Sequence, residues 1–394
     1  MEQSVNSEIV DSKIRIKAIS SLEALCKIER ELDEFIVSHT NNPFMLIPFL
    51  KVKMCSALAQ GLRPIVLVAK ADGKIVGVVT FALKRSHGIV PFLVRSQIGT
   101  YSAKLIYDYY FSPDFILSDG YREECVNEIL DFLFNVLDCH NARTYLPTDS
   151  PNLHFLKVQC QNKEIYLRII SDPSVACCFL PVDCTWETFE KLRGQKFREF
   201  SRRMERNLNH AGTPRISFYK NEAATKSVFQ TMLDIEKSSW KQTFRAQNEI
   251  SQDQTLMDVW EAASIAYQKY GDFNLLVWLL ELNGKYVAYT MGCQYKGTAY
   301  MVKSSYDEKM KKLSLGIYIN EHAISDLFRS KEVKTINFMT NLPFASRWTD
   351  KYEQRAMALM LRGNVPRILE YAGRLRAIQF MILFLQGEKR IKKE

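Results

Sequence analysis

Two ten-residue segments of this chain match each other without a gap, and no other feature limits its possible folds as strongly. They are VAKADGKIVG at residues 68–77 and LLELNGKYVA at residues 279–288. An Asp-Gly or Asn-Gly pair between two apolar runs predicts a β-hairpin with a tight turn. Further β-structure and then an amphipathic helix follow each hairpin. A hairpin can recur by chance, but the shared order of the following elements favours a duplicated domain.

The length and composition are those of a globular protein with more than one domain. A chain of 394 residues is long enough for two or three domains. Apolar residues make up 47% and charged residues 25%, which excludes disordered and fibrous proteins. Helical and strand periodicities alternate along the sequence, so we predict an α/β fold.

The sequence also indicates where the protein works. The longest apolar stretch, residues 377–387, is too short to cross a bilayer, and residues 1–11 do not resemble a secretory signal. Nine cysteines without a C-x-x-C pair are typical of reduced thiols. We therefore expect a cytoplasmic protein without a transmembrane segment.

The excess of positive charge is confined to one half of the chain. Residues 1–172 carry 19 Lys and Arg against 20 Asp and Glu, whereas residues 173–394 carry 34 against 24. A basic C-terminal half suggests an anionic partner, such as a phosphorylated cofactor, a nucleic acid or a membrane surface. The alternative is that scattered lysines keep the protein soluble.

Several familiar catalytic motifs are absent from the sequence. There is no G-x-G-x-x-G, no Walker pattern and no G-x-S-x-G elbow, so Rossmann, P-loop and α/β-hydrolase sites are unsupported. The six histidines show neither H-E-x-x-H nor zinc-finger spacing, so we expect no metal. A catalytic cysteine stays possible, but nothing distinguishes one of the nine.

One segment combines a strand, a basic loop and a helix start. A predicted strand at Thr298–Ser305 leads into the basic residues 308–312, and Ser314 and Gly316 then open an amphipathic helix. Ser314 is a suitable N-cap, and Gly316 lets a ligand approach the first turn closely. Free N–H groups and nearby lysines suit a pyrophosphate. A capped surface helix with solvated lysines is the alternative.

From about Trp186 to Trp348 the chain resembles the GNAT-fold acyltransferases of the CelD (cellulose-biosynthesis) type, which are distantly similar to the Fem aminoacyltransferases. The matching segments are FREFSRRM at 197–204, IEKSSW at 235–240, the hairpin at 279–289, LSLG at 313–316, and INF with RW at 336–348; IYDY at 106–109 matches in the first half. The resemblance implies two GNAT-like (acyl-CoA N-acyltransferase) domains with mixed central sheets flanked by helices. We place the first at 1–172, the second at 173–365, and a C-terminal helix with a basic tail at 366–394.

The resemblance also implies a co-substrate, acetyl-CoA or another acyl-CoA, and no metal. The fourth strand of the second domain, here Tyr300, Met301, Val302 and Lys303, would hold the thioester and pantetheine through its backbone. The loop and helix start would hold the diphosphate, through Lys311, Lys312, Ser314, Leu315 and Gly316. The first domain would be degenerate and would serve the acceptor.

For the acceptor site the resemblance points to a cleft between the domains. Asp108 would be the general base, Tyr109 a stacking or proton-donating group, and Arg347 an anion-binding cation. An ion pair between Asp108 and Arg347 that joins the halves is the alternative. Asn337 and Ala345 stand where the family carries an Asp and a Lys, and neither can act as a base or charged clamp.

These features predict an enzyme that transfers an acyl group from CoA to an amine or hydroxyl of a small metabolite or a sugar or cell-envelope precursor. One alternative is a Fem-like aminoacyltransferase that uses charged tRNA, with the basic helix at 191–206 facing the nucleic acid. Another is a non-catalytic GNAT-fold binding protein. The basic C-terminal tail is a candidate for peripheral membrane contact.

Overall fold

The computed structural model describes residues 13–84, 97–99, 114–171, 176–239 and 252–362. The first half of the chain begins with a strand, continues with three helices, and then forms the predicted hairpin. Its elements are β1 (Ile14–Ile19), α1 (Leu22–Lys27), α2 (Glu29–His39), α3 (Ile47–Ala59), β2 (Arg63–Ala71), β3 (Lys74–Lys84), β4 (Gln97–Gly99), β5 (Ile116–Leu117), α4 (Arg122–Asp131), β6 (Asn141–Pro147), α5 (Pro151–Asn162) and β7 (Tyr166–Ser171).

The second half repeats this order after a strand and two helices, of which the second is basic. Its elements are β8 (Cys177–Pro181), α6 (Trp186–Arg193), α7 (Gln195–Ala211), β9 (Pro214–Lys220), α8 (Lys226–Lys237), α9 (Gln252–Lys269), β10 (Phe273–Leu282), β11 (Lys285–Tyr295), β12 (Thr298–Tyr306), α10 (Leu315–Arg329), β13 (Thr335–Asn337), α11 (Pro343–Ser346), β14 (Tyr352–Glu353) and β15 (Arg355–Leu361). The basic helix predicted at 191–206 is divided between α6 and α7, because Gly194 has a φ of 89° between them.

The two sheets have the same strand order. The first runs β1-β2-β3-β4-β6-β15-β7, and the second runs β9-β10-β11-β12-β13-β8-β14. In both, the pair formed by the fourth and fifth strands is parallel, and the neighbouring pairs are antiparallel. The predicted duplication and the predicted α/β fold with mixed, helix-flanked sheets are confirmed.

The repeated hairpins also agree in detail. Both turns place two residues at positive φ, Asp72 and Gly73 in one and Asn283 and Gly284 in the other, as a two-residue hairpin turn requires. The strand register then shifts at Ala69/Lys70 in the first half and at Leu280/Glu281 in the second, so that each hairpin carries a β-bulge at the same aligned position.

One strand of the second half lies in the sheet of the first half. Strand β8, which follows β7 in the chain, pairs with β13 in the second sheet. Strand β15, which follows β14 in the chain, lies between β6 and β7 in the first sheet. The division into 1–172 and 173–365 stays a prediction, but residues 355–361 pair within the first sheet. The C-terminal helix predicted at 366–394 is not tested by these residues. Residues 363–394 lie outside the described part.

The packing forms five layers. Helices α4 and α5 cover the outer face of the first sheet, and α6, α7 and α10 cover the outer face of the second. Between the sheets lies a shared core that takes residues from α2, α3, α8 and α9 and from the inner faces of both sheets. The two halves therefore share one interior. In the described residues, no helix combines the length and apolar character needed to span a bilayer.

Candidate active site

The second sheet opens between β12 and β13. These parallel strands pair only at three positions, and the last pair is Tyr300 with Asn337. Beyond it, β12 continues to Tyr306 while β13 ends. The segment Tyr300–Lys303, predicted to hold a thioester, lies where the two strands part. The opening therefore leaves one backbone edge of β12 without a neighbouring strand at the predicted cofactor site.

A β-bulge at Val302 shapes this edge. Gly292 on β11 faces Met301, and the next residue, Met291, faces Lys303, so Val302 is the extra residue. A Cβ atom on Gly292 would lie 2.6 Å from the Tyr300 carbonyl oxygen, so the bulge requires glycine on the neighbouring strand. The bulge also turns Lys303 to the inner face of the sheet, where Val302 already points.

On that inner face lies a buried charged cluster. The Lys303 ammonium is 3.6 Å from a Glu236 carboxylate oxygen, and the two side chains are 4% and 0% exposed. The Tyr289 hydroxyl donates to the same oxygen of Glu236 at 2.5 Å. Buried charges are costly unless they are paired, so this cluster fixes the position of Lys303 beside the opening. The sequence analysis does not identify Glu236 as a site residue. A charged residue beside Met232 and Ile235 on the buried face of α8 is nevertheless a detectable signal of a functional or paired charge.

The helix start after β12 differs from the expectation. Ser314 precedes α10 in the left-handed region, with φ 57°, and its side chain makes no capping hydrogen bond. The expected N-cap role of Ser314 is therefore wrong. Asp307 instead accepts from the Lys309 N–H and caps the short turn at Glu308–Leu313 that carries the lysines. Lys311 pairs with Glu308 at 3.1 Å.

Helix α7 lies against this basic turn. Its buried residues Phe197, Met204 and Leu208 join the core of the outer face, which Met310 and Leu313 of the turn also contact. The cations of α7 are therefore on the opposite side, where Lys196, Arg202, Arg203 and Arg206 are exposed. The exposed face of α7 and the lysine turn thus form a basic surface beside the start of α10.

Arg347 lies on the outer face of the second sheet. Its guanidinium carbon is 4.6 Å from the centre of the Phe197 ring and 4.2 Å from that of Phe200. It also lies 3.6 Å from the Glu321 carboxylate. These contacts support a structural role within the second half. Asp108 and Tyr109 lie outside the described residues, so their predicted roles stay predictions.

A cleft of about 390 Å³ lies between the halves. Its walls come from the end of α2, the starts of α4 and α5, and the ends of β6, β8, β13 and β14. Tyr300 and Asn337, the last pair before the opening, also line it, and Arg347 does not. The Tyr300 hydroxyl donates to the Asn41 carbonyl of the first half at 3.0 Å. The cleft therefore meets the sheet opening at one place.

Most charged groups of the cleft are held by partners. The Arg355 Nε donates to Glu353 at 2.7 Å, and Asn152 links Arg122 to Asp114 through distances of 2.5 and 2.7 Å. Burial raises the pKa of the Cys177 thiol to about 12, so this thiol is neutral at physiological pH and a poor nucleophile. Within the described ranges, no group of three or more side chains suited to a metal ion comes together.

Comparisons with known proteins agree with this geometry. A family model described as an acetyltransferase (GNAT) domain matches residues 195–348. No curated protein gives a significant match to the sequence.

Three solved structures share the fold over most of the chain. A conserved protein of unknown function from Bacteroides thetaiotaomicron is 14% identical, with a TM-score of 0.56 and coverage of 88% of this chain and 100% of that one. FemX is 11% identical, with a TM-score of 0.53 and coverage of 86% and 96%. The C-terminal domain of a protein described as a lysylphosphatidylglycerol synthetase from Agrobacterium fabrum is 9% identical, with a TM-score of 0.53 and coverage of 94% and 99%.

At these identities the structural likeness establishes the fold alone, and the family model adds the class of domain. The opened sheet, the bulged fourth strand and the following helix all lie within the matched residues. Residues 195–348 match an acetyltransferase (GNAT) domain model on a chain with the GNAT fold, which indicates an acyltransferase.

Proposed function

We propose that the second half binds an acyl-CoA at the opening between β12 and β13 and that the acyl group passes to an amine or hydroxyl held in the cleft between the halves. The observation that carries this proposal is the shared position of Tyr300 and Asn337, which end the strand pairing and line the cleft. An acceptor in the cleft is thereby next to a thioester on β12. Such proximity is a large part of the rate of group transfer.

The residues around the opening would divide the work. The exposed edge of β12 offers backbone N–H groups for the thioester oxygen and the pantetheine amides, and a fixed donor at a developing oxyanion lowers the barrier. The start of α10, with the N–H groups of Leu315 and Gly316 and with Lys312 nearby, suits the diphosphate. Buried Lys303, paired with Glu236, lies on the inner face of the sheet beside this edge.

In the described part of the first half, the equivalent helix start carries different charges, which supports a division of roles. The equivalent helix, α4, begins beside Asp119, Glu123 and Glu124, whereas lysines precede α10. Carboxylates at that place repel a diphosphate that lysines attract. We therefore assign the acyl-CoA to the second half alone and the acceptor to the cleft. A sugar or cell-envelope precursor is our proposed acceptor, on the resemblance to the CelD type.

Calorimetry with acetyl-CoA tests the proposal. The full chain should bind one equivalent, and Lys312→Glu should weaken binding, while Lys226→Glu, an exposed lysine on α8, should leave it unchanged. Thiol release from acetyl-CoA in the presence of small amines and alcohols then tests transfer. A folded protein that binds no acetyl-CoA would contradict the proposal.

The basic face of α7 favours a second candidate, a Fem-like transfer from charged tRNA. Exposed arginines beside the cofactor opening suit a phosphate backbone, and such binding weakens steeply with salt. Under this alternative the chain binds aminoacyl-tRNA in low salt, and Arg202→Glu weakens that binding. Acetyl-CoA binding with no measurable tRNA binding would exclude it.

A further inference from the structure

His39 occupies the part of the cleft nearest the first half. It is the last residue of α2, and its ring stacks on Phe35 with 4.2 Å between the ring centres. Its Nδ1 lies 3.0 Å from the Phe35 carbonyl oxygen, and its Nε2 lies 3.2 Å from the Ser118 hydroxyl. Both nitrogens are therefore fixed by groups of the first half, and the ring lines the cleft.

These contacts determine which nitrogen of His39 carries the proton. A carbonyl oxygen only accepts, so Nδ1 is the donor to Phe35. The Ser38 hydroxyl oxygen lies 2.9 Å from Nδ1. It lies equally close, 2.9 Å, to the Glu34 and Phe35 carbonyl oxygens, and the hydroxyl hydrogen is directed to these carbonyl oxygens. It therefore accepts from Nδ1 as well. In the neutral ring, Nε2 then holds the lone pair, and the Ser118 hydroxyl donates to it.

The carboxylates of the cleft are more firmly engaged than this nitrogen. Asp114 accepts from the Ser150 hydroxyl, from Asn152 Nδ2 at 2.7 Å and from the Phe115 N–H at 2.7 Å. Glu353 accepts from Arg355. These donors occupy oxygens of both carboxylates. Among the described residues, the partner of Nε2 is a single hydroxyl at a long distance, which an acceptor group can replace.

Charged groups of both signs lie in the cleft with His39. Arg122, Asp114, Glu353 and Arg355 line the same cleft with both signs of charge. Lys296 reaches across from the second half and donates to the Thr40 carbonyl, beside the end of α2, at 3.2 Å.

We propose that His39 is the general base that accepts the proton of the acceptor during acyl transfer, an inference that rests on the proposed function. The acceptor nitrogen or oxygen attacks the thioester carbon, a C–N or C–O bond forms, and the C–S bond breaks. The acceptor's proton passes to His39 Nε2, and the released CoA thiolate takes a proton from solvent. Because His39 is exposed, it returns its proton to water.

The test measures thiol release from acetyl-CoA, with ethanolamine as the small acceptor, as a function of pH. The wild type should show an acidic limb, since protonated His39 cannot accept. His39→Gln should lose that limb and lower kcat by about 10² to 10⁴, with acetyl-CoA affinity and melting temperature unchanged. Added imidazole should partly restore His39→Ala. His154→Gln, an exposed histidine on α5, is the matched control and should behave as the wild type.

The outcomes separate this inference from the proposed function. No acetyl-CoA binding, or no thiol release with the wild type, overturns both. Binding and turnover with an unchanged pH profile in His39→Gln overturns the role of His39 alone. An acylated Ser118 found by mass spectrometry overturns direct transfer in favour of a covalent intermediate. Nitrogen-15 NMR should show hydrogen on Nδ1 of the neutral ring, and hydrogen on Nε2 would contradict the assignment.

Discussion

At the scale of single residues, Arg347 shows how a tertiary environment can change an expected role. The sequence pointed to an anion-binding arginine at the acceptor site. The structure places its guanidinium against two phenylalanine rings and the Glu321 carboxylate, with the two charged side chains 18% and 14% exposed. A guanidinium so enclosed has little room for an acceptor. Its contacts join α7 to α10 through Ser201 and Glu321.

Replacing Arg347 should therefore cost stability more than binding. Arg347→Ala leaves Glu321 without its cation, which we expect to lower the free energy of unfolding by about 3 kcal/mol. Arg329→Ala, whose pairing with Asp326 is exposed, should cost less than about 1 kcal/mol. Urea unfolding measures both variants. An unchanged stability together with weaker acceptor binding would instead support the role first expected of Arg347.

The same variant should show a defined pH dependence. Burial raises the pKa of the Glu321 carboxyl, and Arg347 opposes that rise. Without Arg347 the pKa rises further, so the ionised carboxylate destabilises the folded state at neutral pH. As the pH falls and Glu321 becomes protonated, the stability gap between wild type and variant should narrow. Unfolding curves at several pH values test this, and a gap that widens on acidification would contradict it.

Asp307 gives the second prediction at this scale. Burial raises the pKa of its carboxyl, but the hydrogen bonds from Lys285 and from the Lys309 N–H outweigh burial and lower it. A lowered pKa means that ionised Asp307 stabilises the fold above its unfolded pKa and that this stabilisation is lost as the pH falls through its folded pKa.

Asp307→Ala should cost about 1 kcal/mol at neutral pH and less at acidic pH, measured by urea unfolding. It should also weaken acetyl-CoA binding, because the lysine turn loses its cap. If Asp307→Ala is less stable but binds acetyl-CoA with the same affinity as the wild type, the lysine turn does not contribute to binding.

At the scale of elements, the starts of the two equivalent helices can be compared directly. Gly316 lies in the first turn of α10, and Gly120 lies just before α4. Gly316→Asp would place bulk and negative charge where we expect the diphosphate, and should raise the Kd for acetyl-CoA at least tenfold, about 1.4 kcal/mol. Gly120→Asp, at a position open to solvent, should leave the Kd unchanged.

Calorimetry on both folded variants decides between a cofactor site and a bare helix end. A Cβ atom at position 316 would lie 3.2 Å from the Tyr306 ring, so the ring must shift slightly. Lys312→Glu reverses charge without this contact and should act in the same direction. Unchanged affinity in both second-half variants would refute the placement of the diphosphate at α10.

At the scale of the whole molecule, strand β15 makes the first half depend on the second. Strand β15 lies between β6 and β7, so a fragment that ends at residue 172 lacks an interior strand of its sheet. The shared core between the sheets would also be exposed in such a fragment. We expect residues 1–172 alone to show no cooperative unfolding, and the full chain to unfold in one transition.

Thermal melts followed by circular dichroism and by fluorescence test this expectation. Coincident curves for the full chain indicate a single cooperative unit. A native-like, two-state melt for the fragment would contradict the prediction and would show that β15 is dispensable.

Structural features that depend on neighbouring residues in the chain could be predicted from the amino-acid sequence. The turn residues Asp72–Gly73 and Asn283–Gly284 require positive φ, so the hairpins and their duplication followed from local chemistry. The apolar stripe of α7 similarly determined which side of that helix is basic. The strand, lysine turn and helix of the cofactor site are continuous in sequence, so their order was predictable as well.

Contacts between residues that are distant in the sequence could be identified only from the tertiary fold. Arg355 pairs with Pro147 across the first sheet, and an alternating strand pattern does not say which sheet accepts it. His39, Tyr300 and Asn337 come together because the two halves pack against each other through a shared core and border one cleft. Turns and helix faces are determined by residues a few positions apart. The cleft depends on contacts between residues more than a hundred positions apart. Which of these contacts form is determined by the energy of the whole packed core.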